Sequence, residues 1–219
     1  MDASVLIEHA QTAIANAYSN VSKLPFFIVS ELDGMSGYRT RHLYNNMCSL
    51  SNATYLEVGT YKGSSLVSAL YGNPSVKAYC IDHWEEWGGK EEFFANIEKF
   101  IPGHDLTIIE KDSWQVGAAD LPVPIDVFMY DGAHSYEDQK RAITHFYPYF
   151  ADRFIIMIDD WCCDWVDVKR GTMDGIKEMG LRVLYENEIG LVNTTEYHTT
   201  GDTFWNGCYV AVCEKAGNV

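Results

Sequence analysis

From Thr54 onward the chain alternates short apolar runs with helical runs, and almost every apolar run ends on an acid or a glycine. Tyr55–Val58 carries Glu57 and closes on Gly59. Val76–Ile81 closes on Asp82, and Leu106–Ile109 is followed by Lys111 and Asp112. Val127–Tyr130 closes on Asp131, and Phe154–Ile158 closes on Asp159 and Asp160. Short apolar runs bounded by turn signals read as buried strands. Helical runs separate them at 64–70, 91–100, 136–150 and 168–179. Two further strands, 181–185 and 208–212, have no convincing helix between them and read as an antiparallel pair. This alternation predicts parallel βαβ units in an open, doubly wound α/β sheet covered on both faces. Such sheets bind ligands outside the carboxyl ends of their strands. Chance would scatter acids along the elements, whereas here they collect at those ends.

The first fifty residues lack this alternation. Val5–Tyr18 has helical spacing, and Glu31–Leu50 holds a Gly34-Met35-Ser36-Gly37 break before another helical run. We read residues 1–50 as an N-terminal helical extension, with Gly34–Gly37 as the hinge of a candidate lid, and residues 51–219 as the ligand-binding domain.

Composition narrows the partners. No apolar run approaches the roughly 18 residues of a membrane span. Met1–Ala10 holds Asp2 and Glu8 and no Lys or Arg, the opposite of a secretory signal. With 31 acidic against 16 basic residues the net charge is −15, which repels a phosphate backbone, and no Lys/Arg cluster offsets it. The expected partner is a small molecule, not nucleic acid or membrane, and a second copy of the chain stays open as a further one. Six cysteines without a C-x-x-C pair read as reduced thiols of a cytoplasmic protein. Vicinal Cys162-Cys163 is a redox or metal pair less readily than two small loop residues.

Glu57-Val58-Gly59-Thr60-Tyr61-Lys62-Gly63-Ser64 joins the first strand to its helix. Gly59 permits the tight turn and Gly63 a close approach of the helix. Asp82 stands where a doubly wound fold places the acid that binds ribose hydroxyls. A dinucleotide site would require Gly-x-Gly-x-x-Gly, and Glu57 would repel its pyrophosphate. S-adenosylmethionine (SAM) has no phosphate and carries an ammonium and a sulfonium, so acids around it are favourable. The bland alternative is a strand-turn-helix with glycines for geometry alone, but Asp82 and Asp112-Ser113 at the next strand ends favour SAM.

Taken together, Glu57-x-Gly59-x-x-x-Gly63-Ser64, Ile81-Asp82-His83-Trp84, Lys111-Asp112-Ser113 and Tyr130-Asp131-Gly132-Ala133-His134-Ser135-Tyr136-Glu137 resemble the ordered motifs of class I SAM-dependent methyltransferases. The closest resemblance is to the small-molecule and sugar O-methyltransferase branch that includes macrocin O-methyltransferase, over roughly Tyr55–Trp161. It implies a Rossmann-like seven-stranded sheet of order 3-2-1-4-5-7-6 with the last strand antiparallel. It implies that Glu57 and the Gly59, Thr60, Tyr61, Gly63 and Ser64 loop hold the methionine part of SAM, that Asp82 binds the ribose, and that Asp112 and Ser113 lie against adenine. His83 and Trp84 follow the ribose acid; Trp84 either covers adenine or packs.

Asp131, Asp159 and Asp160 end two strands expected to be neighbours, about 5 Å apart, so their carboxylates can converge. Three carboxylates together repel unless a cation sits between them, and oxygen ligands favour Mg²⁺, Mn²⁺ or Ca²⁺. The resemblance implies a divalent cation, Mg²⁺ in the first place, at these three acids. The alternative is that they cap turns and accept backbone hydrogen bonds. Ser135 reads as an N-cap followed by acids, which places His134 outside the helix and facing the strand ends. His134, beside Asp131, is the expected general base, or else it fixes the loop. The sugar-modifying members carry Asp-Gly-Asp-Leu-Tyr-Glu here, a departure that bears on the base. The expected activity is methyl transfer to a small hydroxylated acceptor, with a sugar as its narrowest form. The rivals are a metal-independent or non-methylating SAM-fold enzyme and a non-catalytic SAM-binding module.

Overall fold

A computed structural model describes residues 1–163, 166–190 and 203–217. Its strands are β1 (Thr54–Val58), β2 (Lys77–Asp82), β3 (Leu106–Glu110), β4 (Ile125–Tyr130), β5 (Phe150–Ile158), β6 (Arg182–Ile189) and β7 (Cys208–Glu214). They form one sheet in the order β3-β2-β1-β4-β5-β7-β6. The first five run parallel, and β7 runs antiparallel to both β5 and β6. This is the doubly wound architecture that the alternation predicts, in the strand order that the resemblance implies. Val58 pairs with Ile81 and Tyr130, and Tyr130 with Ile158. The register therefore brings Gly59, Asp82, Asp131 and Asp159, each one step further on, out at the same edge of the sheet.

The helices are α1 (Ala3–Tyr18), α2 (Phe26–Glu31), α3 (Tyr38–Met47), α4 (Ser64–Leu70), α5 (Lys90–Phe100), α6 (Tyr136–Phe146) and α7 (Val168–Glu178). Successive strand residues point to opposite faces, and two cores result. Tyr55, Cys80, Met129, Met157 and Val210 pack with α1, α3 and α4 and with Phe93 of α5. Leu56, Val58, Phe128, Tyr130, Ile156 and Ile158 pack with Ala142, Ile143 and Phe146 of α6 and Ile176 of α7. The N-terminal extension is thus a layer of the first core: Leu6, Ala10, Leu43 and Met47 are buried against the sheet.

Two expectations change. The helix read over 136–150 stops at Phe146, and Tyr147–Tyr149 forms a short 3-10 turn. Pro148 lacks an amide hydrogen, so the helical ladder cannot continue through it. β5 then begins at Phe150, earlier than the apolar run that betrayed it. In the extension, α2 is a short helix that the sequence pattern did not disclose. All six cysteines are free thiols. No helix among the described residues is long and apolar enough to cross a membrane.

Candidate active site

At the ends of β1 and β2 the acids build the loop. Gly59 has φ +85°, and a Cβ there would lie 2.1 Å from the Asp131 carbonyl oxygen, so only glycine fits. Glu57 is fully buried beneath the loop, where its carboxylate accepts from the Tyr55 hydroxyl at 2.7 Å and from Ser65 Oγ at 2.7 Å. Burial pushes its pKa up to about 7. Asp82 fastens the loop from the side. Its Oδ2 accepts from the amides of Thr60 (3.0 Å) and Tyr61 (2.8 Å), and its Oδ1 from that of Trp84 (2.7 Å). A carboxylate has roughly four acceptor sites, so one stays open for a ligand hydroxyl.

Tyr61 (φ 47°) and Trp84 (φ 54°) are held in left-handed backbone, which aromatic residues seldom adopt and which collects at functional sites. The Trp84 indole donates to the Tyr61 carbonyl at 2.7 Å, and its ring lies 5.0 Å from that of Phe93, so Trp84 packs under the loop. His83 Nδ1 accepts from the Glu85 amide. Gly63 is left-handed and sits against Phe93. Asp112 accepts from the Trp114 amide at 2.9 Å and caps the short turn that opens at Ser113, past the end of β3.

The ends of β4 and β5 differ. One ligand-capable atom each of Asp131, His134 and Asp160 lie within 4.8 Å of one another. His134 Nε2 is 2.8 Å from Asp160 Oδ2 and 3.7 Å from Asp131 Oδ1. Ser135 caps α6 by accepting from the Asp138 amide, with Glu137 and Asp138 in the first turn, which sets His134 outside the helix as its spacing predicts. Asp160 has φ 54° and also accepts from Asn206 Nδ2 at 2.6 Å.

Asp159 turns the other way. Its Oδ2 accepts from the Tyr44 hydroxyl at 2.7 Å, and its Oδ1 from the Asp160 amide (3.0 Å) and Cys208 Sγ (3.3 Å). The expected trio of Asp131, Asp159 and Asp160 is therefore replaced at the point of convergence by Asp131, His134 and Asp160. Both residues lie past the end of β5, and the left-handed turn at Asp160 keeps their side chains apart.

Charge follows geometry. Burial pushes the Asp131 pKa up to about 6, with His134 opposing and Asp160 reinforcing the rise. Burial disfavours the His134 cation, but Asp131 and Asp160 outweigh it and push its pKa up to about 10. Burial likewise disfavours the Asp160 charge, yet His134 and Asn206 hold its pKa below the usual carboxylate range. As placed, His134 keeps its proton through neutral pH, the state of a counter-ion and not of a base. Two carboxylate oxygens and one imidazole nitrogen also suit a divalent cation once the ring sheds that proton.

A cleft opens between these two regions. Gly59, Thr60, Tyr61, Ser64 and Ser65 line one side, Asp131 and Asp159 its floor, and Met35, Ser36 and Tyr44 of the extension the other side. Sequence reasoning missed Ser36, Tyr44 and Ser65; only the Gly34–Gly37 break pointed toward the first. Glu57 and Asp82 shape the cleft without lining it. Trp161 stacks on Tyr209 at 4.3 Å. Asp164 and Trp165 of the tract that follows the paired acids lie outside the described residues.

Residues 56–161 match the model of a methyltransferase domain family. That is just under half of the chain. An uncharacterized protein of Acanthamoeba polyphaga mimivirus is 27% identical over 144 residues, 62% of this chain and 65% of that one, so the chain spans less than two thirds of that relative. Among solved structures, the precorrin-6y C5,15-methyltransferase of Geobacter metallireducens is similar with TM-score 0.58 and 14% identity, covering 85% of this chain and 91% of that one. A SAM-dependent methyltransferase of Aquifex aeolicus follows at TM-score 0.52 and 14% identity, covering 76% and 84%. SMU.776, solved in complex with SAH, reaches TM-score 0.54 at 11% identity, covering 80% and 49%. At such identities these structures show a shared fold.

Proposed function

We propose that the chain transfers a methyl group from SAM to a hydroxyl of a small acceptor, with a sugar or similar polyol as the narrowest form of the reading. The observation that carries it is the cleft itself, in which the Gly59–Ser65 loop and Asp131 line one space at the ends of β1 and β4. Bound SAM supplies an electrophilic methyl on a sulfonium. Thr60, Ser64 and the loop backbone take its amino-acid end, and the free acceptor site of Asp82 takes a ribose hydroxyl. Asp112 and Ser113 lie toward the adenine side.

Asp131 accepts the proton of the acceptor hydroxyl. Its raised pKa, about 6, leaves it ionised at neutral pH and still basic. His134 holds Asp160 and balances the two carboxylates, acting on the base and not as the base. Oxyanion and sulfonium neutralise each other in the transfer, so the site gains most from positioning the reactants. Asp131, His134 and Asp160 would hold a divalent cation, Mg²⁺ or Mn²⁺, whose chemistry is to polarise the acceptor oxygen. No Lys or Arg lines the cleft among the described residues, which favours a neutral or cationic acceptor over a carboxylate or phosphate. The setting this reading assumes is cytoplasmic.

The test is calorimetry with SAM and SAH, with and without Mg²⁺ or Mn²⁺, followed by transfer of labelled methyl to a panel of hydroxylated acceptors. Tight NAD binding without SAM binding overturns the reading. SAH binding with no label transfer to any acceptor favours a binding module or a non-methylating reaction. Full transfer in excess EDTA removes the cation.

A further inference from the structure

The family match begins at residue 56, yet one side of the cleft comes from before it. Gly34 lies so close to Ser64 that a Cβ at position 34 would fall 1.9 Å from Ser64 Oγ. Gly37 lies as close to the strand-β7 side, where a Cβ would meet the Thr203 carbonyl at 2.2 Å, and the Arg39 amide donates to that carbonyl at 3.0 Å. Glycines at these two positions let the backbone rest directly on its neighbours.

The segment is fastened from three directions. On the outside, Asp33 Oδ2 lies 2.6 Å from Nζ of Lys62, inside the glycine loop. From behind, the buried Arg41 guanidinium donates to Ser36 Oγ at 2.9 Å and to the carbonyls of Ile28 and Val29, both at 3.0 Å. Toward the floor, Tyr44 donates to Asp159. A guanidinium whose donors are taken by carbonyls and a hydroxyl has no acid to leave for; it works as a strut.

We infer that Asp33–Tyr44 is a binding element of the cofactor cleft: its exposed tip, Asp33–Met35, closes over the amino-acid end of SAM against Thr60 and Ser64 and lifts for cofactor to enter and product to leave, while the buried part from Ser36 to Tyr44 stays fixed on the core. The inference rests on the reading of the cleft as a SAM site. Its chemistry points to the amino-acid end because the strap touches the loop at Ser64 and Lys62, and not the far side of Asp82. Hinged elements of this kind govern release more than encounter.

The experiment uses the full chain and SAH, with stopped-flow tryptophan fluorescence for rates and calorimetry for affinity. Gly34→Ala puts a methyl where Ser64 already is, and SAH should leave at least about tenfold faster, with the association rate changed less. Asp33→Asn breaks an exposed bridge and should leave the fold intact. It should raise the release rate about twofold to fivefold and remove the salt dependence that screening of the bridge gives the wild type. Gly117→Ala, where nothing lies within 4 Å of the added Cβ, should behave as wild type. If the wild type binds SAH and both Gly34→Ala and Asp33→Asn release it within twofold of the wild-type rate, the strap is no part of the site. Should Gly34→Ala fail to fold, Asp33→Asn and its salt series decide alone. A wild type that binds no SAH overturns the cofactor reading, and the strap's role with it.

Discussion

The carboxyl ends of β1 and β2 and those of β4 and β5 carry the same residue types and use them differently. Glu57 and Asp82 accept hydrogen bonds from Tyr55, Ser65 and three backbone amides of their own turn. They are the frame on which the glycine loop is bent. Asp131 and Asp160 face a single imidazole instead, beside the cleft that Asp131 lines. A carboxylate held by fixed amides and hydroxyls shapes a site, whereas one balanced by a single titratable cation keeps chemistry available. Acids at strand ends are therefore not one class, and their partners decide which they are.

The largest effect that separates the two regions is on turnover. Asp131→Asn should lower kcat by roughly 10²–10⁴-fold with SAH affinity little changed. His134→Gln should cost clearly less than Asp131→Asn. If His134→Gln costs as much and flattens the acidic limb of the pH–rate profile, the histidine is the base after all, and the contrast between base and counter-ion fails.

Next comes Asp82→Ala, which orphans three amides of the loop. Each buried unsatisfied donor costs about 1–3 kcal/mol, so both thermal stability and SAH binding should fall. Loss of SAH affinity with an unchanged melting temperature would mean that Asp82 serves the ligand and not the loop.

Smaller still is the pH signature of the ion pair. The His134 pKa is raised in the folded chain from 6.5 to about 10. A raised pKa stabilises the fold fully below the unfolded value and loses that contribution as pH rises. The Tm difference between wild type and His134→Gln should thus be widest below about pH 6.5 and close as pH climbs toward 10. A difference that widens with pH would overturn the charge assignment.

The smallest expected effect concerns the cation. Asp159→Asn leaves the convergent trio of Asp131, His134 and Asp160 intact, so Mn²⁺ binding, read by electron paramagnetic resonance, should weaken only a few-fold, whereas Asp160→Asn should weaken it by about tenfold or more. Equal losses would restore Asp159 to the cluster.

Much of this was legible in the sequence, because the relevant signals are local. Strand and helix periods, Gly59 as the only residue able to turn against the Asp131 carbonyl, and Ser135 as the cap that leaves His134 outside α6 each depend on a few neighbouring residues. The strand-end positions of Glu57, Asp82, Asp131, Asp159 and Asp160 follow from the same patterns. Convergence of side chains does not. Asp159 and Asp160 are adjacent in sequence, yet a left-handed turn just past β5 sends one to Tyr44 and the other to His134. Tyr44 lies 115 positions from the acid it holds, and Ser36 reaches the cleft only because Arg41 pins the strap behind it. Such contacts arise from the register of the sheet and the stacking of α3 on its face, so no window of the sequence contains them.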